Sequence, residues 1–259
     1  MRRYVRNNST WGLSRLSPTN WPPDAWNPPV TALAACGALF LAYAPGIVYL
    51  GAGIRRGAYT AGHVPPMQFL IAQAVCYVPL ALYLLLAIPA LARVPLAKLG
   101  FRAPARREIL GGLGGAAVMW LIVAVSSALL AGLTHRHDTE PAVALLQQMK
   151  TPLQKVVFAA VAVVLAPMVE ELGFRVFIFN AFTRYVDMWP AALLSGLAFG
   201  LVHALGNPGQ IPTVAIPLGL GGVVLAYVYA ANRCYWSSVI THGTFNAVSV
   251  IAIFFFHAT

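Results

Sequence analysis

The chain has 259 residues, of which 59% are hydrophobic and only 9% charged, against roughly 25% charged in a typical soluble domain. This composition excludes a soluble globular protein and predicts an integral membrane protein made of apolar helices. The net charge of +10 arises from 17 basic and seven acidic residues. We attribute this excess to membrane topology and to contact with the anionic lipid bilayer, and we expect no nucleic-acid partner.

The chain begins with a basic, proline-rich arm over residues 1–29, which we expect to lie in the cytosol. The remainder, 30–259, is predicted to form a single membrane-embedded domain. Its front part, 30–154, holds three spans and their loops, and 155–259 holds the polar motifs described below. The three cysteines border or lie within apolar runs without CxxC spacing, so no disulfide framework is indicated.

Seven apolar segments follow one another, and most are long enough for a helix across the bilayer. Their approximate bounds are 30–53, 67–92, 109–133, 155–185, 189–205, 212–231 and 235–256. An eighth span results if the fourth segment is divided near Pro167. The sequence therefore predicts an all-α, polytopic transmembrane bundle of seven to eight helices. At the end of the fourth segment, Asn180, Thr183, Arg184 and Asp187 are expected to emerge into water.

The distribution of basic residues predicts the orientation of the bundle. With seven spans, and with Arg175 set aside, eleven Lys and Arg residues flank the side that carries the N-terminus and five flank the other side. Loops rich in Lys and Arg remain in the cytosol. We therefore expect a cytosolic N-terminus, in the plasma membrane of the cell.

Two adjacent glutamates interrupt the fourth apolar segment. Glu170 and Glu171 follow a long apolar run, and Arg175 lies four residues after Glu171, on the same helix face. A carboxylate at membrane depth costs several kcal/mol unless it is paired or neutralised. The cluster therefore indicates a functional site, although Glu171 and Arg175 could also form a purely structural ion pair.

Two further polar pairs occur in later apolar segments. Phe199 and His203 are four residues apart, as are His242 and Asn246, so each pair shares a helix face. If the chain turns near Asp187, antiparallel helices place Glu171 and His203 at the same level. We therefore expect the acidic and imidazole groups to meet in a polar cavity within the membrane. Phe199 is expected to be a packing residue.

Two chemistries would use these groups. A carboxylate at low dielectric can act as a general base near neutral pH, while a histidine orients the same water. A second histidine and an amide could then stabilise an oxyanion. Alternatively, Glu170, His203 and His242 could hold Zn²⁺, which lowers the pKa of a bound water. The spacing leaves both the metal-independent and the zinc chemistry open.

At these residues the chain resembles the CAAX-protease and bacteriocin-processing (Abi) family of intramembrane endopeptidases. That family carries the motifs EExxxR, FxxxH and HxxxN. Here they read Glu170-Glu171-Leu-Gly-Phe-Arg175, Phe199-xxx-His203 and His242-xxx-Asn246, in this order and each in an apolar segment. One departure is Val176, where a small residue is expected after the arginine. The resemblance covers roughly 155–250.

The resemblance implies a helical membrane bundle that hydrolyses a peptide bond near the membrane surface. Carried over residue by residue, Glu170 and His203 activate the water, and His242 with Asn246 stabilises the oxyanion. Glu171 and Arg175 support the site. The family is commonly labelled metal-dependent, and a glutamate-based mechanism is also proposed for it. The expected substrate is a peptide or a membrane-associated protein.

Two other functions are compatible with the same sequence. Members of the family include non-proteolytic scaffolds and bacteriocin self-immunity proteins, which would retain the fold without cleavage. A proton-coupled transporter could also use buried carboxylates and histidines, but it would be expected to show paired half-repeats, which are not evident in this sequence. The peptidase is the leading hypothesis because a scaffold has no need of two buried carboxylates.

Overall fold

The structure, a computed structural model, describes residues 21–136, 138–205 and 208–256. Most of the basic arm, residues 1–20, therefore lies outside the described residues. Eight helices are numbered here in chain order. They are α1 Pro28–Arg55, α2 Pro66–Ala92, α3 Arg106–Thr134, α4 Pro141–Gln147, α5 Pro152–Thr183, α6 Met188–His203, α7 Ile216–Asn232 and α8 Tyr235–Phe256.

The fold is an all-α membrane bundle, as the apolar segments predict. Six helical segments are long and apolar enough to cross a bilayer, namely α1, α2, α3, α5, α8 and the segment Pro208–Asn232 that contains α7. Helix α6 is also apolar but has only 16 residues, about 24 Å, and is therefore shorter than the hydrocarbon core. In the described ranges no β-strand occurs, and α4 is a short helix within the loop before α5.

Helix α5 continues past Pro167 instead of dividing there. Its turns widen to π-helical geometry over Val161–Leu165 and again over Leu172–Phe179. Proline has no N–H group, so in this register the carbonyl of Ala162, five residues before Pro167, lacks its helical donor. The amide Nδ2 of Asn246 donates to this carbonyl at 2.7 Å, so α8 supplies the missing hydrogen bond.

The helix ends form two faces. On the first face lie segments 21–27, 93–105, 184–187 and 233–234. They contact one another directly: the N–H of Trp26 donates to Leu91, and that of Tyr235 donates to Gly100. A buried apolar cluster, which includes Trp26, Leu91, Leu99 and Tyr235, fills this end of the bundle. The first face is therefore closed by packed side chains.

The expectation that Asn180 and Thr183 emerge into water is wrong. Both residues are buried, because the first-face segments fold over the end of α5. The Asn180 amide donates to the Tyr229 hydroxyl at 2.8 Å, and that hydroxyl donates to the carbonyl of Leu99. The Trp21 indole N–H donates to the Thr183 hydroxyl at 3.2 Å. These residues thus connect α5 to α7 and to the α2–α3 loop.

The second face comprises segments 56–65, 135–151 and 204–215, apart from the undescribed residues 137, 206 and 207. Here the loop after α3 is fastened to the loop before α7. The Thr213 hydroxyl donates to Asp138 Oδ2 at 2.6 Å, and the Gln210 amide donates to the Thr139 carbonyl at 3.1 Å. Residues 138–140, which we term the strap, are thereby held at this end of the bundle.

Helix α6 packs closely along α7 because its contact face carries glycines. A Cβ atom added at Gly196 would lie 2.6 Å from the carbonyl oxygen of Gly219, and one added at Gly200 would collide with the carbonyl of Ala215. The close approach brings Phe199 and His203 against the centre of the bundle.

Candidate active site

The predicted pair of Glu171 and Arg175 lies at the centre of the bundle. Both side chains are 0% exposed, and Arg175 Nε lies 3.1 Å from Glu171 Oε2. The guanidinium also donates to the carbonyl of Gly222 on α7 at 3.1 Å and stacks 4.8 Å above the Phe199 ring. The buried ion pair on α5 is therefore in direct contact with both α6 and α7 through the Arg175 guanidinium.

His242 approaches the same carboxylate from α8. Its Nδ1 lies 3.0 Å from Glu171 Oε1, and its Nε2 lies 3.8 Å from Glu170 Oε2. Because the Glu171 carboxylate is paired with Arg175 and can only accept, Nδ1 carries a proton and donates it. This bond fixes the ring orientation and directs Nε2 towards Glu170, in the way a buried carboxylate orients an imidazole in hydrolytic sites.

Glu170 faces a large cavity of about 1940 Å³ that is also lined by His203, His242 and Asn246. Its side chain is 17% exposed, in contrast to the fully buried Glu171. The Tyr77 hydroxyl of α2 donates to Glu170 Oε1 at 2.5 Å. The two adjacent glutamates thus occupy different environments: one carboxylate is buried in an ion pair, and the other borders the cavity.

His203 lines the cavity from the last turn of α6. Its Nδ1 lies 2.8 Å from the carbonyl oxygen of Phe199, four residues earlier. A carbonyl only accepts, so Nδ1 is the protonated nitrogen, and in the neutral ring Nε2 keeps a lone pair. The Phe199 ring lies 4.5 Å from the His203 ring and 5.5 Å from the His242 ring. Phe199 therefore packs between both imidazoles and the guanidinium of Arg175.

Asn246 also lines the cavity, but one of its two amide protons is used in the bond to Ala162 described above. Gly243, three residues earlier, lies against α5, where an added Cβ would be 2.7 Å from the Val163 carbonyl. This close approach sets the position of Asn246. Its second amide proton is the one that a reaction could use.

A zinc site would require at least three protein ligands around one ion. Within the described part of the chain, no three His, Cys, Asp or Glu side chains come close enough to hold one metal ion. His242 Nδ1 is engaged by Glu171 and His203 Nδ1 by a backbone carbonyl, so Nε2 is the atom of each ring that could ligate a metal. The assignment of Glu170, His203 and His242 as zinc ligands stays a prediction, which metal analysis of the purified protein would test.

Two residues that the sequence patterns did not indicate border the same cavity. Tyr77 is one of ten tyrosines, and no spacing in the sequence relates it to Glu170. Glu140 lies between the third and fourth apolar segments of the sequence, and the strap brings it to the cavity wall. Burial raises the pKa of Glu140, and nearby Glu170 acts in the same direction, while His203 and His242 oppose it. Only the folded chain brings these groups together.

Comparison with known proteins agrees with the motifs. The model of a family described as type II CAAX prenyl endopeptidase Rce1-like matches residues 152–248, which extend from the start of α5 into α8 and contain all three motifs. No curated protein and no solved structure matches the chain significantly. The matched family is a family of proteases that act on peptide or protein substrates. Over residues 152–248 the chain is therefore similar to the Rce1-like family of type II CAAX prenyl endopeptidases.

Proposed function

We propose that this protein is an intramembrane endopeptidase that hydrolyses a peptide bond with a water activated by Glu170 and His203. One observation carries the proposal. Glu170 borders the cavity beside two histidines, whereas the adjacent Glu171 is buried in an ion pair that orients His242. One carboxylate is thus free to act on a water, and the other holds the site together.

The first step uses Glu170 as the general base. A water bound between Glu170 and His203 Nε2 is polarised by two acceptors, because the Nδ1 proton of His203 is committed to the Phe199 carbonyl. The water oxygen attacks the carbonyl carbon of the peptide bond while its proton passes to Glu170. The Tyr77 hydroxyl fixes the Glu170 carboxylate in this position.

The second step divides the tetrahedral intermediate. His242, when protonated on both nitrogens, and the unused amide proton of Asn246 donate to the oxyanion. Glu170 returns the proton to the amide nitrogen as the C–N bond breaks. The products are a carboxylic acid and an amine, so no covalent enzyme intermediate and no external reactant besides water is required.

The proposal is tested by peptide cleavage with the purified protein in detergent. Replacing the base in Glu170→Gln should lower the cleavage rate by roughly 10²- to 10⁴-fold, and His203→Ala should also cause a large loss. Asp24→Asn and His63→Ala are matched controls, since both residues are exposed and do not line the cavity. Undiminished cleavage by both site variants would refute the catalytic assignment.

The same assay separates the peptidase from the non-proteolytic scaffold or immunity protein. A folded wild-type protein that cleaves no member of a diverse peptide library would contradict the peptidase and favour the scaffold. Folding is checked independently from the melting temperature in detergent. Cleavage that is abolished by Glu170→Gln without a change in that temperature would establish the enzyme.

A further inference from the structure

The cavity that Glu170 borders carries more acidic than basic side chains. Among its described lining residues, Arg136 is the one lysine or arginine, and three residues are acidic, namely Asp138, Glu140 and Glu170. Arg136 is already paired with Asp138, whose Oδ1 lies 3.2 Å from the guanidinium. The described part of the cavity wall therefore offers no lysine or arginine to the other two carboxylates.

These two carboxylates differ in their partners. Glu170 accepts a hydrogen bond from Tyr77 and lies 3.8 Å from His242 Nε2, which becomes a donor when that ring is doubly protonated. For the Glu140 side chain, by contrast, the described residues supply neither a hydrogen bond nor an ion pair. It lies close enough to His203 and Glu170 for their charges to act on it. Glu140 is therefore a carboxylate beside the reacting groups that still lacks a partner of its own.

The strap fixes the chain at Glu140. The two residues before it are fastened, Asp138 by the Thr213 hydroxyl and Thr139 by the Gln210 amide. Only part of the Glu140 side chain is exposed, and burial raises the pKa of this carboxyl group, which nearby His203 opposes. A carboxylate that has lost water without gaining a cation is stabilised when a cation is brought to it. The cavity wall is thus prepared for a positively charged group that comes with the substrate.

We propose that Glu140 is a specificity-determining residue, which pairs with a lysine or arginine side chain of the substrate near the scissile bond. The carboxylate borders the same cavity as Glu170 and His203, so a basic side chain beside a peptide bond held at these groups would meet it. The substrate class is therefore a polypeptide with a basic residue close to the point of cleavage. This inference rests on the proposed endopeptidase, to which it adds a preference among substrates.

The first test compares matched peptides in the cleavage assay in detergent. All peptides are acetylated at the N-terminus, so that a free terminal ammonium group cannot act as the cation, and one lysine is placed at each position around the cleaved bond in turn. In the partner peptide this lysine is acetylated on Nζ, which removes the charge and keeps the aliphatic stem. At one position or more, the lysine peptide should have a kcat/KM roughly 10- to 100-fold higher, as a charge-assisted hydrogen bond provides. Equal values at every position would overturn the inference and leave the endopeptidase intact.

The second test changes the charge on the protein. Glu140→Gln keeps the size of the side chain and should bring the ratio of kcat/KM for the two peptides close to one. Glu140→Lys should reverse the preference, so that a peptide with glutamate at the same position is favoured. Asp187→Asn is the control, because it removes an exposed charge outside the cavity and should keep the wild-type ratio.

A merely structural role of Glu140 would lower cleavage of both peptides in the same proportion. A wild-type ratio in Glu140→Gln, or no reversal in a Glu140→Lys protein of normal melting temperature, would therefore overturn the inference. If no peptide is cleaved by the wild-type protein in detergent, the proposed function fails and this inference fails with it.

Discussion

His242 Nδ1 lies 3.0 Å from Glu171 Oε1, and the other oxygen of that carboxylate lies 3.1 Å from the guanidinium of Arg175. Three ionisable side chains from two helices thus form one chain of contacts in the apolar interior. Removal of one side chain leaves a buried charge without its partner. The resulting loss of folding stability is larger than the net stabilisation that the intact pair provides. This asymmetry gives the first prediction.

Arg175→Met should destabilise the protein by about 3–5 kcal/mol, because the buried Glu171 carboxylate loses its cation. Combining it with Glu171→Gln should restore part of the stability, since no uncompensated charge then remains. Thermal unfolding in detergent measures both effects. Arg93→Met is the control: its pair with Asp24 is largely exposed, and the loss should not exceed about 1 kcal/mol. Equal losses in Arg175→Met and Arg93→Met would contradict the prediction.

Tyr77→Phe should lower kcat with little effect on KM. The variant removes the hydroxyl that donates to Glu170 while the apolar ring is kept. A hydrogen bond to a charged group contributes about 1.5–3 kcal/mol, which corresponds to roughly a 10- to 100-fold lower rate if the bond positions the base. Tyr83→Phe is the matched control on the same helix, because its hydroxyl donates to the Ala34 carbonyl away from the cavity. Equal rates in Tyr77→Phe and the wild type would exclude this positioning role.

The strap should stay fastened at neutral pH and loosen only in strong acid. The hydrogen bond from Thr213 lowers the pKa of Asp138, and Arg136 contributes in the same direction. A carboxyl group with a lowered pKa stabilises the folded state above its ordinary value of about 3.9, and this contribution is lost as the pH falls through the folded pKa. Hydrogen-exchange protection of residues 138–140 should therefore be constant from neutral pH to about pH 5 and fall below about pH 4.

Thr213→Val is the comparison for the strap. Without the hydroxyl donor the protection should already be lower at neutral pH, and its acid dependence should shift towards that of an ordinary aspartate. An acid dependence identical to that of the wild type would show that Thr213 does not hold the strap.

Gly200→Val should destabilise the bundle and reduce activity together. An added Cβ at Gly200 would collide with the Ala215 backbone, so α6 must move away from α7 and take His203 with it. Overpacking of this kind costs about 1–3 kcal/mol. Gly114→Val is the matched control in α3, where an added Cβ meets nothing within 4 Å. Melting temperature and cleavage rate measure the two effects, and a normal melting temperature in Gly200→Val would contradict the close packing.

Peptide cleavage should be insensitive to metal chelation. Among the described residues no three His, Cys, Asp or Glu side chains converge to ligate one ion. Dialysis against a chelator, followed by elemental analysis and the cleavage assay, should show unchanged rates at negligible zinc content. Loss of activity that only added zinc restores would establish the zinc alternative instead.

The sequence alone predicts the membrane bundle and most of its helix bounds. Apolar segments of 20 residues or more form helices in lipid, because a helix satisfies all backbone hydrogen bonds within the segment itself. The pairing of Glu171 with Arg175 also follows from sequence, since residues four apart share a helix face. The three motifs were sufficient to indicate the family that residues 152–248 match.

Only the tertiary structure shows which residues outside the three motifs contact the motif side chains or line the same cavity. Tyr77 reaches Glu170 across 93 residues of chain, and Glu140 reaches the cavity through a strap held by Thr213, so no local period encodes either contact. The burial of Asn180 and Thr183 likewise depends on loops that fold back over the end of α5. Local sequence sets which residues share one helix face, whereas the neighbours of that face are set by how seven apolar helices pack side by side.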